Sequence, residues 1–146
     1  MSESAGVLPS RLQELVTELL SVDADTRGDI LIELSDQYSE VPESVATRPY
    51  PELAKVPGCE SEVYAFVVNR EDGTKDFHFA VENPQGISAM AMAAIVQETL
   101  NGEELEKIAQ IPEDVVYQIF GRTLSMGKGQ GLMSMMGVVK ALARRQ

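Results

Sequence analysis

The sequence predicts a single α+β domain in which a small antiparallel sheet lies between helices. Three patterns indicate this: two amphipathic helical segments near the start, two Val-, Tyr- and Phe-rich segments joined by a turn, and further helical segments after them. The chain has 146 residues, of which 44% are hydrophobic, so it is long enough to bury one core. We expect residues 1–146 to form one domain, with residues 1–9 disordered.

The first two helices are predicted from the spacing of apolar residues. Leucine and valine recur at helical spacing over residues 11–21, and Ser10 with Gln13 forms the pattern of a capping box. Asp23 or Asp25 can cap the second helix. Because the connection between these helices is short, we expect them to pack as an antiparallel pair.

A proline-rich connector and a hairpin are predicted next. The connector, residues 41–58, should end the second helix at Pro42 and run extended without a helix of its own. Residues 62–69 alternate as a strand with both faces covered, and a short run before Pro57 can add an edge strand. A turn containing Asp72 and Gly73 then leads into a second strand over residues 75–81.

The last third of the chain is predicted to be helical. Residues 87–100 are apolar nearly all round, which predicts a buried central helix that ends at Gly102. Shorter helices are expected over residues 103–109 and 113–120. A loop is then expected at three glycines, and it leads into a C-terminal helix with a buried stripe. The glycines are Gly127, Gly129 and Gly131, and the stripe is Leu132, Met135, Met136, Val139 and Leu142.

Charge and hydropathy exclude several classes of protein. The net charge is -11 and the isoelectric point is near 4.5, which argues against a nucleic-acid-binding protein. The longest nearly apolar stretch, residues 87–96, is too short to span a bilayer, and the start does not resemble a secretory signal. Residues 1–45 hold ten acidic and two basic side chains, a surface that could steer a partner.

The cysteine count narrows the chemistry further. The chain has one cysteine, Cys59, and one histidine, His78. This count excludes an internal disulfide, a structural zinc site of cysteine and histidine, and an iron-sulfur cluster bound wholly by this chain. We therefore expect no bound metal. A lone free thiol favours a reducing compartment, so we expect the protein to be cytoplasmic.

Cys59 is the strongest candidate for a reactive residue. Pro57 and Gly58 before it allow a tight turn, which would present the thiol at a loop tip beside the sheet. An inert buried cysteine is the alternative, because free cysteine is among the most buried residue types. A Cys59–His78 nucleophile pair is a further alternative, although no third orienting group is evident. Lys128 could supply a cation that activates the thiol.

Two strings carry a resemblance to a known family. Residues 56–64, Val-Pro-Gly-Cys-Glu-Ser-Glu-Val-Tyr, resemble the Val-x-Gly-Cys-Gln-Ser-x-Val-Trp signature of the SufE family of cysteine desulfuration proteins. Residues 124–132 are similar to a second string of that family, Leu-Ser-Pro-Ser-Arg-Ser-x-Gly-Leu. The order and length of the predicted elements extend the similarity over most of the chain.

The chain departs from the family pattern at four positions. The family glutamine after the cysteine is Glu60, its tryptophan is Tyr64, and its arginine in the second string aligns with Lys128. An aspartate before the buried helix is lost where the chain has Pro84. Lysine can keep the charge of the arginine but cannot make a planar bidentate contact.

The resemblance implies a fold shared with SufE and the iron-sulfur scaffold IscU. It implies a sulfur acceptor that binds a SufS-type cysteine desulfurase, takes its sulfur as a persulfide on Cys59 and passes it to a SufBCD-type scaffold. The pyridoxal phosphate belongs to the desulfurase, so no cofactor is expected here, and a homodimer stays open. Partner contacts are expected at Gly58, Glu60, Ser61, Gly127 and Gly131, with Lys128 beside the thiolate.

Two other functions remain open at this point. A non-catalytic interaction module of the same fold would bind a partner through its acidic helices and leave Cys59 idle. A hydrolase would use Cys59 with His78. Addition of sulfur to Cys59 by a desulfurase would distinguish the acceptor from both.

Overall fold

The computed structural model describes residues 8–59, 61–82, 86–122 and 124–145. It confirms the α+β class, with helices on both sides of one antiparallel hairpin in chain order. The elements are α1 Ser10–Leu20, α2 Ala24–Asp36, β1 Val63–Asn69, β2 Lys75–Val81, α3 Ile87–Leu100, α4 Leu105–Ala109, α5 Val115–Phe120 and α6 Met126–Arg144.

The start of the chain corrects one capping prediction and confirms another. The residue before α1 is Pro9, and no side chain caps this helix, so the predicted Ser10–Gln13 capping box is wrong. Ser10 is the first residue of the helix itself and not the residue before it. Its hydroxyl therefore does not cap the unpaired N–H groups of the first turn. Asp23 caps α2 as predicted, because its Oδ1 accepts a hydrogen bond of 2.8 Å from the Thr26 N–H. Of the predicted disordered tail, residues 1–7 lie outside the described residues, and Pro9 is buried.

Helix α3 is the centre of the fold, as its all-round apolar pattern predicted. It packs against α1, α2, α6 and β2, and most of its residues are buried. The predicted antiparallel pair of α1 and α2 is wrong, because α2 packs mainly along α3 and touches α1 only slightly. The apolar surface of α3 extends around the whole helix, so it offers α2 more to bury than the single stripe of α1 does. Helix α2 ends at Asp36, well before Pro42.

The hairpin has the predicted turn, and its two strands pair antiparallel. Val63 lies opposite Val81 and Asn69 opposite Lys75. The edge strand predicted before Pro57 is reduced to an isolated bridge between Lys55 and Tyr64. Because proline has no N–H, the connector cannot continue this pairing.

Both faces of the hairpin are covered at its β1 start, but by different parts of the chain. The inner face packs on α3 and α6, and the outer face packs under the connector. The connector also holds one 3₁₀ turn at Glu52–Ala54, which corrects the prediction that it contains no helix. Pro51 precedes that turn with a φ of -68°, the fixed value that suits the start of a helical turn.

The outer edge of β2 is closed by side chains in or just after α2 and α3. The Tyr38 hydroxyl accepts a hydrogen bond from the Val81 N–H at 2.9 Å. Asn101 Oδ1 accepts one from the Phe77 N–H at 2.8 Å, and Gln97 Nε2 donates one to the Phe77 carbonyl at 3.2 Å. The edge of β2 is therefore occupied along much of its length.

The predicted glycine loop at Gly127, Gly129 and Gly131 is wrong, because these residues form the first turns of α6. Ser125 caps the helix, and its Oγ accepts a hydrogen bond of 3.3 Å from the Lys128 N–H. Two of the glycines are explained by close packing rather than by a loop: a Cβ on Gly129 would overlap the Tyr117 hydroxyl, and one on Gly131 would crowd Cys59. The predicted stripe of α6 is buried as expected.

The far end of α6 is held by a buried lysine. Lys75 Nζ donates a hydrogen bond of 2.6 Å to the Leu142 carbonyl and another to the Arg145 carbonyl. Carbonyls at the end of a helix lack partners within the helix, so Lys75 acts as its C-terminal cap. This contact joins the first residue of β2 to the last turn of α6.

Candidate functional site

Cys59 lies at the tip of a short, closed loop before β1. The Val56 N–H donates a hydrogen bond of 2.8 Å to the Val63 carbonyl, which closes the base of the loop. Gly58 has a φ of +77°, a conformation that residues with a side chain rarely adopt. The tight turn predicted from Pro57 and Gly58 is therefore present, and it directs Cys59 toward α6.

The thiol of Cys59 is half-buried against the second turn of α6. Its Sγ–H donates a hydrogen bond to the Gly131 carbonyl, with 3.3 Å between sulfur and oxygen. Burial raises the pKa of the Cys59 thiol from its usual 9.0 to about 11. Cys59 is therefore a protonated thiol near neutral pH in the free protein.

Gly131 makes this contact possible. A Cβ at this position would lie 3.2 Å from the Cys59 Cα, closer than side chains normally pack, and 3.4 Å from its Sγ. The absence of that atom lets the loop approach the helix backbone closely enough for the thiol to reach a carbonyl. Gly131 thus determines where the sulfur lies.

A cavity of about 160 Å³ opens beside Cys59. It lies between the Cys59 loop and the N-terminal turns of α3 and α6. Four predicted site residues contribute to its lining with Cys59: Ser61, Gly127, Lys128 and Gly131. Gly58 is near Ser134 Oγ instead, and Glu60 and Pro84 lie outside the described residues.

The first turn of α3 also lines the cavity, which sequence reasoning missed. Gly86, Ile87, Ser88 and Ala89 lie on this side, and Leu132 and Met135 of α6 complete the described lining. The start of α3 was predicted at Ile87, but no sequence pattern indicates that this turn meets a loop almost 30 residues earlier. A capping serine at Ser125 was the available sign that Gly127 and Lys128 belong to a helix.

Lys128 is exposed beside the cavity. Within the described parts of the chain, its ammonium group has no carboxylate partner. The resolved cause of the raised Cys59 pKa is burial. The influence of Lys128 on the thiolate stays a prediction.

His78 is separated from the Cys59 site. It lies on β2 opposite Phe66, on the face that points away from α3, and it is not among the described residues that line the cavity. Burial lowers the pKa of His78, so its imidazole is largely neutral at pH 7. This placement gives no support to a Cys59–His78 nucleophile pair.

The outer face of the hairpin holds a cluster that the sequence did not predict. Arg48 Nη2 lies 2.5 Å from Glu40 Oε1, and Arg48 Nε lies 2.9 Å from Glu82 Oε1. The same guanidinium lies 5.5 Å from the centre of the Tyr50 ring, and that ring packs on Tyr64 at 5.3 Å. We call these five residues the Arg48 cluster.

The described residues contain neither a candidate metal site nor a candidate membrane-spanning helix. No group of three or more histidine, cysteine, aspartate or glutamate side chains there could hold a metal ion. None of the helices in this part of the chain is both long and apolar enough to cross a membrane.

Comparison with known proteins gives a family and a fold. The family model described as SufE, Fe-S metabolism associated domain, matches residues 13–143. The solution structure of a hypothetical protein from Thermus thermophilus has a TM-score of 0.72 and 21% identity, over 94% of this chain and 96% of that one. At this identity the likeness shows the fold alone. No curated protein matches the chain.

Proposed function

The chain belongs to the SufE family of domains associated with Fe-S metabolism, and from this premise we propose that it is a sulfur acceptor that uses Cys59. The donor is a SufS-type cysteine desulfurase carrying a persulfide, and the pyridoxal phosphate stays with that donor. The final recipient is a SufBCD-type scaffold. The observation that carries the proposal is the single thiol of the chain, held at a loop tip beside an open cavity.

The transfer needs no outside oxidant or reductant. The Cys59 thiolate attacks the outer sulfur of the donor persulfide, a new S–S bond forms on Cys59, and the donor sulfur leaves as a thiolate. A second cysteine nearby could attack the product and release its sulfur as sulfide. Since Cys59 is the sole cysteine, that loss within the chain cannot occur.

The free protein holds Cys59 in a resting arrangement. The nucleophile is the thiolate, whereas burial favours the thiol and the Sγ–H bonds to Gly131. Transfer therefore requires the loop to leave this contact when the donor binds. The arrangement limits reaction of the thiol with other molecules before docking. The reaction fits a reducing cytoplasm, where a free thiol persists.

Mass spectrometry of the protein after incubation with a SufS-type desulfurase and cysteine tests the proposal. We expect one added sulfur on wild-type Cys59 and none on Cys59→Ser, which keeps the size of the side chain but cannot accept the sulfur. Addition of tris(2-carboxyethyl)phosphine should remove it. If Cys59→Ser stimulates the desulfurase as well as wild type does, the chain acts as an interaction module instead.

A further inference from the structure

Two large apolar side chains are exposed at the helix starts that border the Cys59 cavity. Ile87, the first residue of α3, is 49% exposed, and Met126, the first residue of α6, is 76% exposed. Ile87 lines the cavity, and Met126 directly precedes Gly127 and Lys128, which also line it. We call these two residues the apolar rim. Neither side chain belongs to the buried core.

The described residues that line the cavity include one cation, Lys128, and no acidic side chain. Neither α3 nor α6 has an acidic residue in its first turn. The N-terminus of a helix carries a partial positive charge that acidic residues normally balance. At the cavity two such ends are left without acidic residues of their own, and Lys128 adds a full positive charge.

We infer that the apolar rim is the seat of the persulfide-bearing loop of the donor protein. This inference rests on the proposed function and identifies which surface of the acceptor recognises the donor. The loop that fits is apolar beside its cysteine, and its negative charge is that of the persulfide itself. Ile87 and Met126 pack against the apolar part, while Lys128 and the two helix starts favour the anion.

Seating the loop in this way also explains how the acceptor can exclude water during transfer. The donor sulfur must approach Cys59 directly, and the rim lies on both helices that enclose the cavity. Apolar contacts at the mouth would surround the two sulfur atoms. The acidic helices α1 and α2 would guide the approach from outside this contact.

The test compares the double variant Ile87→Gln, Met126→Gln with the double variant Leu20→Gln, Leu53→Gln. The control residues are also exposed: Leu20, at the end of α1, is 56% exposed, and Leu53, on the 3₁₀ turn, is fully exposed. Each protein is titrated with a SufS-type desulfurase to obtain the Kd. Transfer to Cys59 is then measured with that enzyme and, separately, with inorganic polysulfide, which needs no docking.

We expect the rim variant to bind the desulfurase roughly tenfold or more weakly, about 1.4 kcal/mol, with the control close to wild type. Its loss of enzyme-dependent transfer should exceed its loss of polysulfide transfer by a similar factor. Equal binding by the rim variant and wild type would overturn the inference while leaving Cys59 as acceptor. Equal weakening by the control would also overturn it. Failure of wild type to accept sulfur would instead remove the proposed function, and the inference with it.

Discussion

The two sides of the hairpin differ in how their charged and polar groups are paired. On the outer side, Arg48 is paired with both Glu40 and Glu82 and lies over an aromatic ring. On the inner side, Cys59 makes one hydrogen bond to a helix carbonyl, and Lys128 beside it has no carboxylate partner within the described residues. On the outer side the arginine is therefore paired within the chain, whereas on the inner side the described residues give the lysine no such partner.

The difference indicates a division of roles around one pair of strands. Glu82, which follows β2, is held by Arg48, and its N–H donates to the Glu62 carbonyl at 2.8 Å. Glu62 in turn lies just after the Cys59 loop. The Arg48 cluster is therefore linked to the segment that leads out of the Cys59 loop.

The largest effect on the difference between the two sides is expected from Gly131→Ala, which crowds the inner side. The added Cβ would push the Cys59 loop away from α6, weaken the Sγ–H bond and expose the thiol. We expect faster alkylation of Cys59 by iodoacetamide, roughly tenfold at about pH 8, because the thiolate loses part of its burial penalty. The measurement is the rate of adduct formation by mass spectrometry.

Gly28→Ala is the matched control, since a Cβ there meets nothing within 4 Å in the middle of α2. It should raise the free energy of unfolding by about 1 kcal/mol through helix propensity alone. Gly131→Ala should lack that gain, because overpacking costs about 1–3 kcal/mol. An alkylation rate for Gly131→Ala equal to that of wild type would show that the loop does not depend on this glycine.

A smaller effect is expected from removing the cation that lines the cavity, Lys128. Lys128→Ala should raise the pKa of Cys59 further and slow alkylation, roughly threefold to tenfold at about pH 8, because an ammonium group nearby favours the thiolate. Lys128→Arg keeps the charge and should restore the rate. The thiol is titrated by following the ultraviolet absorbance of its thiolate form. Identical midpoints for Lys128→Ala and wild type would exclude the electrostatic role.

The burial of Cys59 should also be visible in the pH dependence of stability. The folded pKa of about 11 lies above the usual 9.0, so the unfolded chain loses this proton first as the pH rises. The contribution of Cys59 to stability is therefore complete below about pH 9 and decreases between about pH 9 and 11. Urea unfolding at about pH 8 and about pH 10 should show a larger decrease for wild type than for Cys59→Ser. Parallel decreases would mean that the thiol is not buried in solution.

The smallest effect is expected on the outer side, with Arg48→Met. This change leaves Glu40 and Glu82 without their cation, but all three side chains are partly exposed. Exposed ion pairs contribute little and are screened by salt, so the melting temperature should fall slightly, and less at high salt. Calorimetry at two salt concentrations measures this. A loss of stability larger than that of any inner-side variant would reverse the division of roles.

Local features of the sequence predicted much of the fold and the place of the candidate reactive residue at a tight turn. Cys59 stood out because it is the sole thiol and follows a Pro-Gly turn, and α3 stood out because it is apolar on every side. Both signals lie within a short segment and depend on simple physical preferences. Contacts between residues that are far apart in the sequence gave no such signal. Arg48 meets Glu82 across 34 residues, and Lys75 meets Leu142 across 67.

The glycines of α6 show why local propensity misled the sequence analysis. Glycine is a poor helix former, so Gly127, Gly129 and Gly131 together predicted a loop. Tertiary packing overrides that preference because Cys59 and Tyr117 need space next to the helix backbone. The apolar rim was missed for a related reason, since whether Ile87 is buried depends on what lies over the start of α3.

The largely occupied edge of β2 has a consequence for how the protein behaves at high concentration. Unpaired strand edges act as templates onto which other chains can add, the first step toward fibrous aggregates. With Tyr38, Asn101 and Gln97 bonded to β2, an incoming strand must first displace groups that are fixed in helices or at their ends. We expect Tyr38→Phe to remove one of these barriers, and concentrated solutions of that variant to develop thioflavin fluorescence sooner than the wild-type protein does.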